Sequence, residues 1–319
     1  MSELHPPSTP RPSGKPVLVG TRGSGLALRQ TEEVLERLRA LNPLREFSVV
    51  TIRTQGDVSS EAPLTGLGRG IFVKEIERAL LKDEVDIAVH SLKDMPTALP
   101  DGLTIGAVCQ RADPRDALVN RWGCRLDELP EGARIGTSSP RRTAQLRSLH
   151  AGVQVLPIRG NVDTRLGKTR GDDYDGAILA TAGLERLGLQ DEIAQHLSTS
   201  DFVPAPGQGV LAVEVRSDDF DTLALLSGIE HSETRRSITA ERAFLETLGG
   251  GCQVPVGAYA RSDRETMVLN LFLGSADGAQ AFRTKVQGRA GNPHEVALDG
   301  YQQLVERGAG ALLKEARSR

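Results

Sequence analysis

The chain repeats its own opening. "GTRGSGLALRQT" begins at Gly20 and "GTSSPRRTAQL" at Gly136. Each copy is the end of an apolar strand, a Gly-Thr turn, small hydroxyl residues and then a helical pattern. This duplication constrains the fold more than any other feature. It asks for two similar α/β lobes rather than one core. The length of 319 residues has room for them and for a further domain.

The rest of the pattern agrees. Around the first copy, "PVLVGTR", "FSVVTIRT", "VDIAVHS" and "LTIGAVC" read as strands. "LALRQTEEVLERLRAL" and "IFVKEIERALLK" read as helices. The scheme then restarts with "ARIGTSS" as strand and turn, "PRRTAQLRSLH" as helix, and "VQVLPIRG" and "YDGAILAT" as strands. "GVLAVEVRS" follows the turn-rich "PAPGQG" as another strand. "LSGIEHSETRRSITAERAFLETL" reads as one helix. Three alternating strands come next, and "PHEVALDGYQQLVERGAGALLKEARSR" reads as a closing helix. The last part is a smaller α+β domain.

Composition removes several function classes. Charged residues at 25% and hydrophobic residues at 39% are ordinary for a soluble globular protein. Aromatics at 3% leave little to stack on bases, so nucleic acid is not an expected partner. No run approaches the roughly 20 apolar residues of a membrane span. "MSELHPPSTPRPSGKP" lacks an apolar h-region, so residues 1–15 read as a disordered tail. The 3 cysteines, Cys109, Cys124 and Cys252, form neither metal pairs nor an even disulfide framework. No metal is expected, and the setting is a reducing cytoplasm. Cys109 and Cys124 read as structural.

The net charge of −3 conceals an asymmetry. From Arg134 to Arg170 there are eight basic residues (Arg134, Arg141, Arg142, Arg147, Arg159, Arg165, Lys168, Arg170) and one acid, Asp163. A solvated face is the bland explanation. However, the arginines do not follow one helical stripe, and several fall where strands end, where α/β proteins place ligands. Ser139 is a good N-cap and Pro140 fits the first helical position. Both copies of the repeat therefore offer free backbone N–H groups beside arginine: Arg22 in one, Arg141 and Arg142 in the other. Such a helix start suits an anion. A cleft between the lobes, lined for carboxylate or phosphate, is the expectation. "GTRGSG" fits neither GxGxxG nor a Walker loop, which argues against a nucleotide.

Two short stretches carry chemistry. In "AVHSLKDMP", His90, Ser91, Lys93 and Asp94 follow a buried strand directly. A bend at Met95–Pro96 would turn both Lys93 and Asp94 toward a cleft. A polar turn is the plain alternative. A carboxylate there can act as acid, base or cation stabiliser. In "GGGCQVPVGAYA", three glycines precede Cys252. They permit unusual backbone angles and close approach of a ligand. The alternatives are a small buried cysteine or a hydrolase nucleophile, but His90 is the only candidate base and reads as buried.

Taken together, "GTRGSGLALRQ", "GIFVKEIE", "DIAVHSLKDMPT", "IGTSSPRRTAQL", "IRGNVDTRL", "ILATAGLERL" and "GGGCQVPVGAYA" resemble the porphobilinogen deaminase (hydroxymethylbilane synthase) family, from about Pro16 to the last helix. The resemblance implies two periplasmic-binding-protein-like lobes with mixed five-stranded sheets and a small α+β C-terminal domain. Domain 1 would be 16–112 plus 209–230, domain 2 113–208 and domain 3 231–319. It implies a transferase of tetrapyrrole biosynthesis. Four porphobilinogen molecules would be joined head to tail, each losing ammonia, on a dipyrromethane primer bound covalently to Cys252. A monomer is implied. A non-catalytic, two-lobed carboxylate-binding protein is the rival reading.

By the same resemblance Asp94, with Lys93, is catalytic. The cofactor residues would be Cys252, Ser91, Lys93, Asp94, Thr137, Ser138, Ser139, Arg141, Arg142 and Arg165. The substrate residues would be Arg22, Ser24, Gln30, Arg69, Arg159, Arg165 and Arg186. Each pyrrole unit brings an acetate and a propionate, which suits bidentate arginine. The loop at 57–70 departs from the family pattern. It is short and glycine-rich, with Arg69 where lysine is common, and reads as a lid.

Overall fold

The computed structural model describes residues 15–54, 73–249 and 255–318. The expected tail (but for Lys15), the loop at 57–70 with Arg69, and Cys252 lie outside the described residues.

In chain order the elements are β1 (Val17–Arg22), α1 (Gly25–Leu41), β2 (Phe47–Ile52), α2 (Lys74–Leu81), β3 (Ile87–Ser91) and β4 (Leu103–Val108). They continue with β5 (Asp116–Asn120), β6 (Arg134–Gly136), α3 (Pro140–Leu149), β7 (Gln154–Leu156) and α4 (Val162–Lys168). Next are β8 (Gly176–Ala180), α5 (Thr181–Arg186), β9 (Gln195–His196), β10 (Leu211–Arg216), α6 (Phe220–Ser227) and α7 (Ser232–Thr247). The last are β11 (Val256–Ser262), β12 (Thr266–Gly274), β13 (Ala281–Arg289), α8 (Pro293–Leu304) and α9 (Gly310–Ser318).

The chain forms two compact units, one of residues up to 110 plus 211–231, the other of 111–210 plus 232 onward. The first is built on a five-stranded sheet of order β2-β1-β3-β10-β4. β1 runs parallel to β2 and β3, and β10 runs antiparallel to β3 and β4. The second unit has a five-stranded sheet of order β7-β6-β8-β5-β9. There β6 is parallel to β7 and β8, and β5 is antiparallel to β8 and β9. The two sheets therefore share one plan, with a reversed strand in the fourth place. The repeated sequence occupies the same position in both, β1–α1 and β6–α3.

The strands form because they are buried on both faces. Val19, Ile87, Val213 and Val215 are each 0% exposed, as expected where helices cover a largely parallel sheet. β2, at the edge, has only half-buried and exposed residues instead. α1 presents Gln30, Thr31, Val34, Leu35 and Leu38 inward, the i, i+4, i+8 spacing of a helix on a sheet. Burying a leucine such as Leu35 contributes about 1.5–3 kcal/mol.

The C-terminal sheet is antiparallel, β11-β12-β13. One face carries Leu269, Leu271 and Val286 against Phe244 of α7, Leu248 just after it, and Val296 and Leu304 of α8. Tyr259 and Phe272 instead pack with Ala144 of α3 and Val203. This sheet and the preceding lobe thus form one compact unit.

Several elements differ from the sequence reading. β5, β9, α4 and α5 were not expected. The helix read through "LSGIEHSETRR" is two: α6 ends at Ser227, and α7 begins at Ser232. Between them the chain turns, and His231 N–H bonds the Val108 carbonyl, which pins the connection to β4. The closing helix is broken at Gly308, whose φ of 93° is left-handed. Among the described residues no helix is long and apolar enough to cross a membrane.

Candidate functional site

In the first unit, the C-terminal ends of β1 and β3 open onto a pocket. Arg22, Ser24, Gln30, Ser91 and Asp94 line it, with Leu26, Val73, Val89 and His90. Their convergence comes from register. Gly20 pairs with Ala88 in parallel strands, so the segments after β1 and after β3 lie at one sheet edge. Ser24 caps α1, its Oγ accepting from Ala27 N–H at 3.3 Å. Thr31 Oγ donates to Thr21 Oγ at 2.8 Å and ties the helix to β1. Gln30 Nε2 donates to Ser91 Oγ at 2.9 Å and ties it to β3.

Lys93 and Asp94 sit in a 3-10 turn, Leu92–Asp94, immediately after β3. The bend therefore comes before Met95–Pro96, and Met95 itself is extended. Leu92 and Met95 are buried at 2% and 3% exposure and anchor the turn, while Lys93 and Asp94 remain half-buried. Among the described residues lining the pocket Asp94 is the one acid. His90 Nε2 lies 3.0 Å from Glu214 Oε2, inside the sheet. Glu77 of α2 lies close by; burial first, then the Glu214 charge, pushes its carboxyl above the usual range. Neither glutamate was singled out from the sequence.

In the second unit the repeated turn is rebuilt. Ser139 caps α3, Thr137 Oγ accepts from Ser139 N–H at 3.2 Å, and Ser138 Oγ donates to the Ile158 carbonyl at 2.8 Å. Arg141 and Arg142 follow, but they point inward, at 5% and 6% exposure. Arg141 Nη1 donates to Asp116 Oδ2 at 2.7 Å and to the Val203 carbonyl at 2.7 Å. Arg142 gives Nη2 and Nε to Asp116 Oδ1, at 2.6 and 3.0 Å, and Nη1 to the Ile178 carbonyl at 2.9 Å. Burial alone would push the Asp116 carboxyl up. The two guanidiniums more than reverse this and hold it far below the usual range. One carboxylate facing two guanidiniums leaves one net positive charge.

Arg159, Arg165 and Arg186 belong to the same unit. Arg165 Nε donates to the Gly160 carbonyl at 2.7 Å, while Arg159 and Arg186 are half-buried. Much of the basic run is balanced by acids from elsewhere in the chain: Arg134 by Asp175 at 2.9 Å and Arg170 by Glu192 at 2.5 Å. Sequence reading missed Asp116, which holds the arginine pair, and Gln208, which holds Asp116. Their separations, 25 residues from Asp116 to Arg141 and 92 to Gln208, leave no local signal.

The first unit's pocket offers a guanidinium, hydroxyls and a carboxylate, a set that fits a ligand carrying both carboxylates and N–H groups, as a dipyrromethane does.

Two family models match the chain. "Porphobilinogen deaminase, dipyromethane cofactor binding domain" covers residues 17–224, and "Porphobilinogen deaminase, C-terminal domain" covers 236–305. A porphobilinogen deaminase of Pelotomaculum thermopropionicum is 48% identical over 302 residues, covering 94% of this chain and 97% of the relative. One from Bacillus cereus is 48% identical over 303 residues, with the same coverage. One from Desulforamulus reducens is 45% identical over 303 residues, 95% of this chain and 98% of the relative. Solved structures resemble it loosely; a TRAP periplasmic solute binding protein from Bordetella bronchispeptica aligns over 94% of this chain at 12% identity and a TM-score of 0.39. With both parts of the chain matched and nearly half its residues shared from end to end, the chain belongs to the porphobilinogen deaminase family.

Proposed function

We propose that Asp94 is the residue at which this chain performs the family's reaction, the deaminating head-to-tail joining of porphobilinogen into hydroxymethylbilane. The observation that carries this is its position as the one acid among the described residues lining a pocket that otherwise offers a guanidinium, hydroxyls and a helix start. The reaction breaks the bond from the aminomethyl carbon to nitrogen, and positive charge develops on the pyrrole. A fixed carboxylate accepting the pyrrole N–H stabilises that charge without reorganising. Asp94 also takes part in proton transfer, with Lys93 beside it in the same turn.

Arg22, with Ser24, Gln30 and Ser91, binds the carboxylates of the incoming unit, the α1 start adding its dipole. Arg159, Arg165 and Arg186, with Arg69, bind substrate carboxylates in the same manner. Thr137, Ser138 and Ser139, with Arg141 and Arg142, hold the cofactor's carboxylates. The pair serves through its one uncompensated charge rather than through two free guanidiniums. Dipyrromethane is the cofactor, supplying when bound the primer to which units are added; Cys252 is its attachment point, through a thioether. The chain acts as a cytoplasmic monomer. The rival reading, a non-catalytic carboxylate-binding protein, is set aside by the family match over both parts of the chain.

Asp94→Asn tests the central assignment. It keeps the shape and removes the charge, and should lower porphobilinogen turnover by about 100-fold or more, read as absorbance of the oxidised product. Far-UV circular dichroism should be unchanged. Turnover near the wild-type rate would overturn the assignment.

A further inference from the structure

We propose that Asp116 and Gln208 are positioning residues that fix the charge and direction of the Arg141–Arg142 pair for cofactor assembly. The proposal rests on the reading of that pair as a holder of cofactor carboxylates. Asp116 is 0% exposed at the first position of β5 and accepts from both guanidiniums. Gln208, 1% exposed, holds the carboxylate from a third side. Its Nε2 donates to Asp116 Oδ1 at 3.0 Å and to the Pro114 carbonyl at 2.8 Å. Both neighbours are acceptors, which sets the amide's orientation. Its Oε1 is left buried with no partner among the described residues. A buried amide that leaves one atom unsatisfied is poorly explained by stability alone. It is explained if the other end has a task, and broken local rules concentrate at functional positions.

The charge count points the same way. Asp116, Arg141 and Arg142 are all buried, and together they carry one excess positive charge. Burying a charge is unfavourable unless it is compensated. The excess lies in the first turn of α3, a ten-residue helix whose dipole is also positive there. A carboxylate-bearing ligand supplies the missing anion. Without Asp116 the two guanidiniums would repel one another and turn apart, and the pair would offer a diffuse rather than a directed cation.

The test is the rate at which cofactor-free protein acquires two pyrrole units on incubation with porphobilinogen, followed by intact mass. Asp116→Asn should load about tenfold more slowly, the loss of charge-assisted bonds. Gln208→Met should load about threefold more slowly, the effect of a weaker support on the same carboxylate. In both, the slowing should come from a raised half-saturating porphobilinogen concentration. Asp175→Asn, which removes the Arg134 partner in the same lobe, should load at the wild-type rate. Wild-type loading by both Asp116→Asn and Gln208→Met would overturn the proposal, as would equal slowing in Asp175→Asn. Arg142→Gln separates the two layers. If it too loads normally, the reading of the pair itself fails; if it is slow while the others are normal, only the positioning role fails. Should Asp116→Asn not fold, Gln208→Met decides alone.

Discussion

Glu241 is the residue whose loss the fold should feel most. It lies on α7, the helix that leads toward the glycine–cysteine segment, and is 0% exposed. Its Oε2 accepts from Gly207 N–H at 2.7 Å. Its Oε1 accepts from Ala260 N–H at 2.8 Å and from Arg111 Nη2 at 2.6 Å. The carboxylate thus joins α7, β11 and the 203–208 turn. Glu241→Ala removes the acid partner of the largely buried Arg111 guanidinium, which keeps its bond to the Gln208 carbonyl, at a cost of about 3–5 kcal/mol, and strands two amide N–H groups, each about 1–3 kcal/mol if water does not reach them. These effects overlap, so about 5 kcal/mol is expected, a large part of the roughly 5–15 kcal/mol of a whole domain. Glu241→Gln keeps the shape and one acceptor but turns an NH2 group toward a donor, costing about 2–3 kcal/mol. Urea unfolding followed by circular dichroism, on cofactor-free protein so that ligand binding does not mask the change, should give that order. An alanine variant within 1 kcal/mol of wild type, on the order of one ordinary hydrogen bond, would refute the reasoning.

Other outcomes rest on particular contacts. Cys252→Ser should abolish the added mass of two pyrrole units in the purified protein; retention of that mass would show another attachment point. Gly257→Ala would set a Cβ 2.8 Å from the Val203 carbonyl, which already accepts from Arg141. It should cost about 1–3 kcal/mol as overpacking and slow cofactor loading, and an unchanged thermal midpoint would contradict it. Glu77 has its folded carboxyl raised, so the folded state holds its proton above the ordinary value of 4.5. Wild-type stability is therefore lost as pH rises from there, and Glu77→Gln should flatten the loss. A gain in urea midpoint at pH 8 that fades toward pH 4.5 is expected, and a variant less stable than wild type at pH 8 would reverse the sign.

The two lobes were legible because each announces itself locally. A strand that runs into Gly-Thr, a hydroxyl cap and a helical stripe can be read within a dozen residues, and β1–α1 and β6–α3 do so. The pocket was legible for the same reason, since Arg22 to Gln30 and Ser91 to Asp94 are each one short stretch. β5 was not. "DALVN" is five residues long, and it begins with an acid that reads as loop but is the buried Asp116. Only the distant arginines make that residue tolerable inside. The split of α6 from α7 was hidden likewise, because Val108 holds His231 out of helix from 123 residues away.

The basic run shows how far local density can mislead. Eight cations against one acid suggested a surface lined for carboxylate or phosphate. In three dimensions Arg134, Arg141, Arg142 and Arg170 meet Asp175, Asp116 and Glu192, acids that lie outside the counted window. Arg165 and Lys168 bond the carbonyls of Gly160 and Arg159. The charge a carboxylate meets at the start of α3 is therefore set by a difference, two guanidiniums less one carboxylate. A sequence reports the sum along the chain; the fold decides which of those charges cancel.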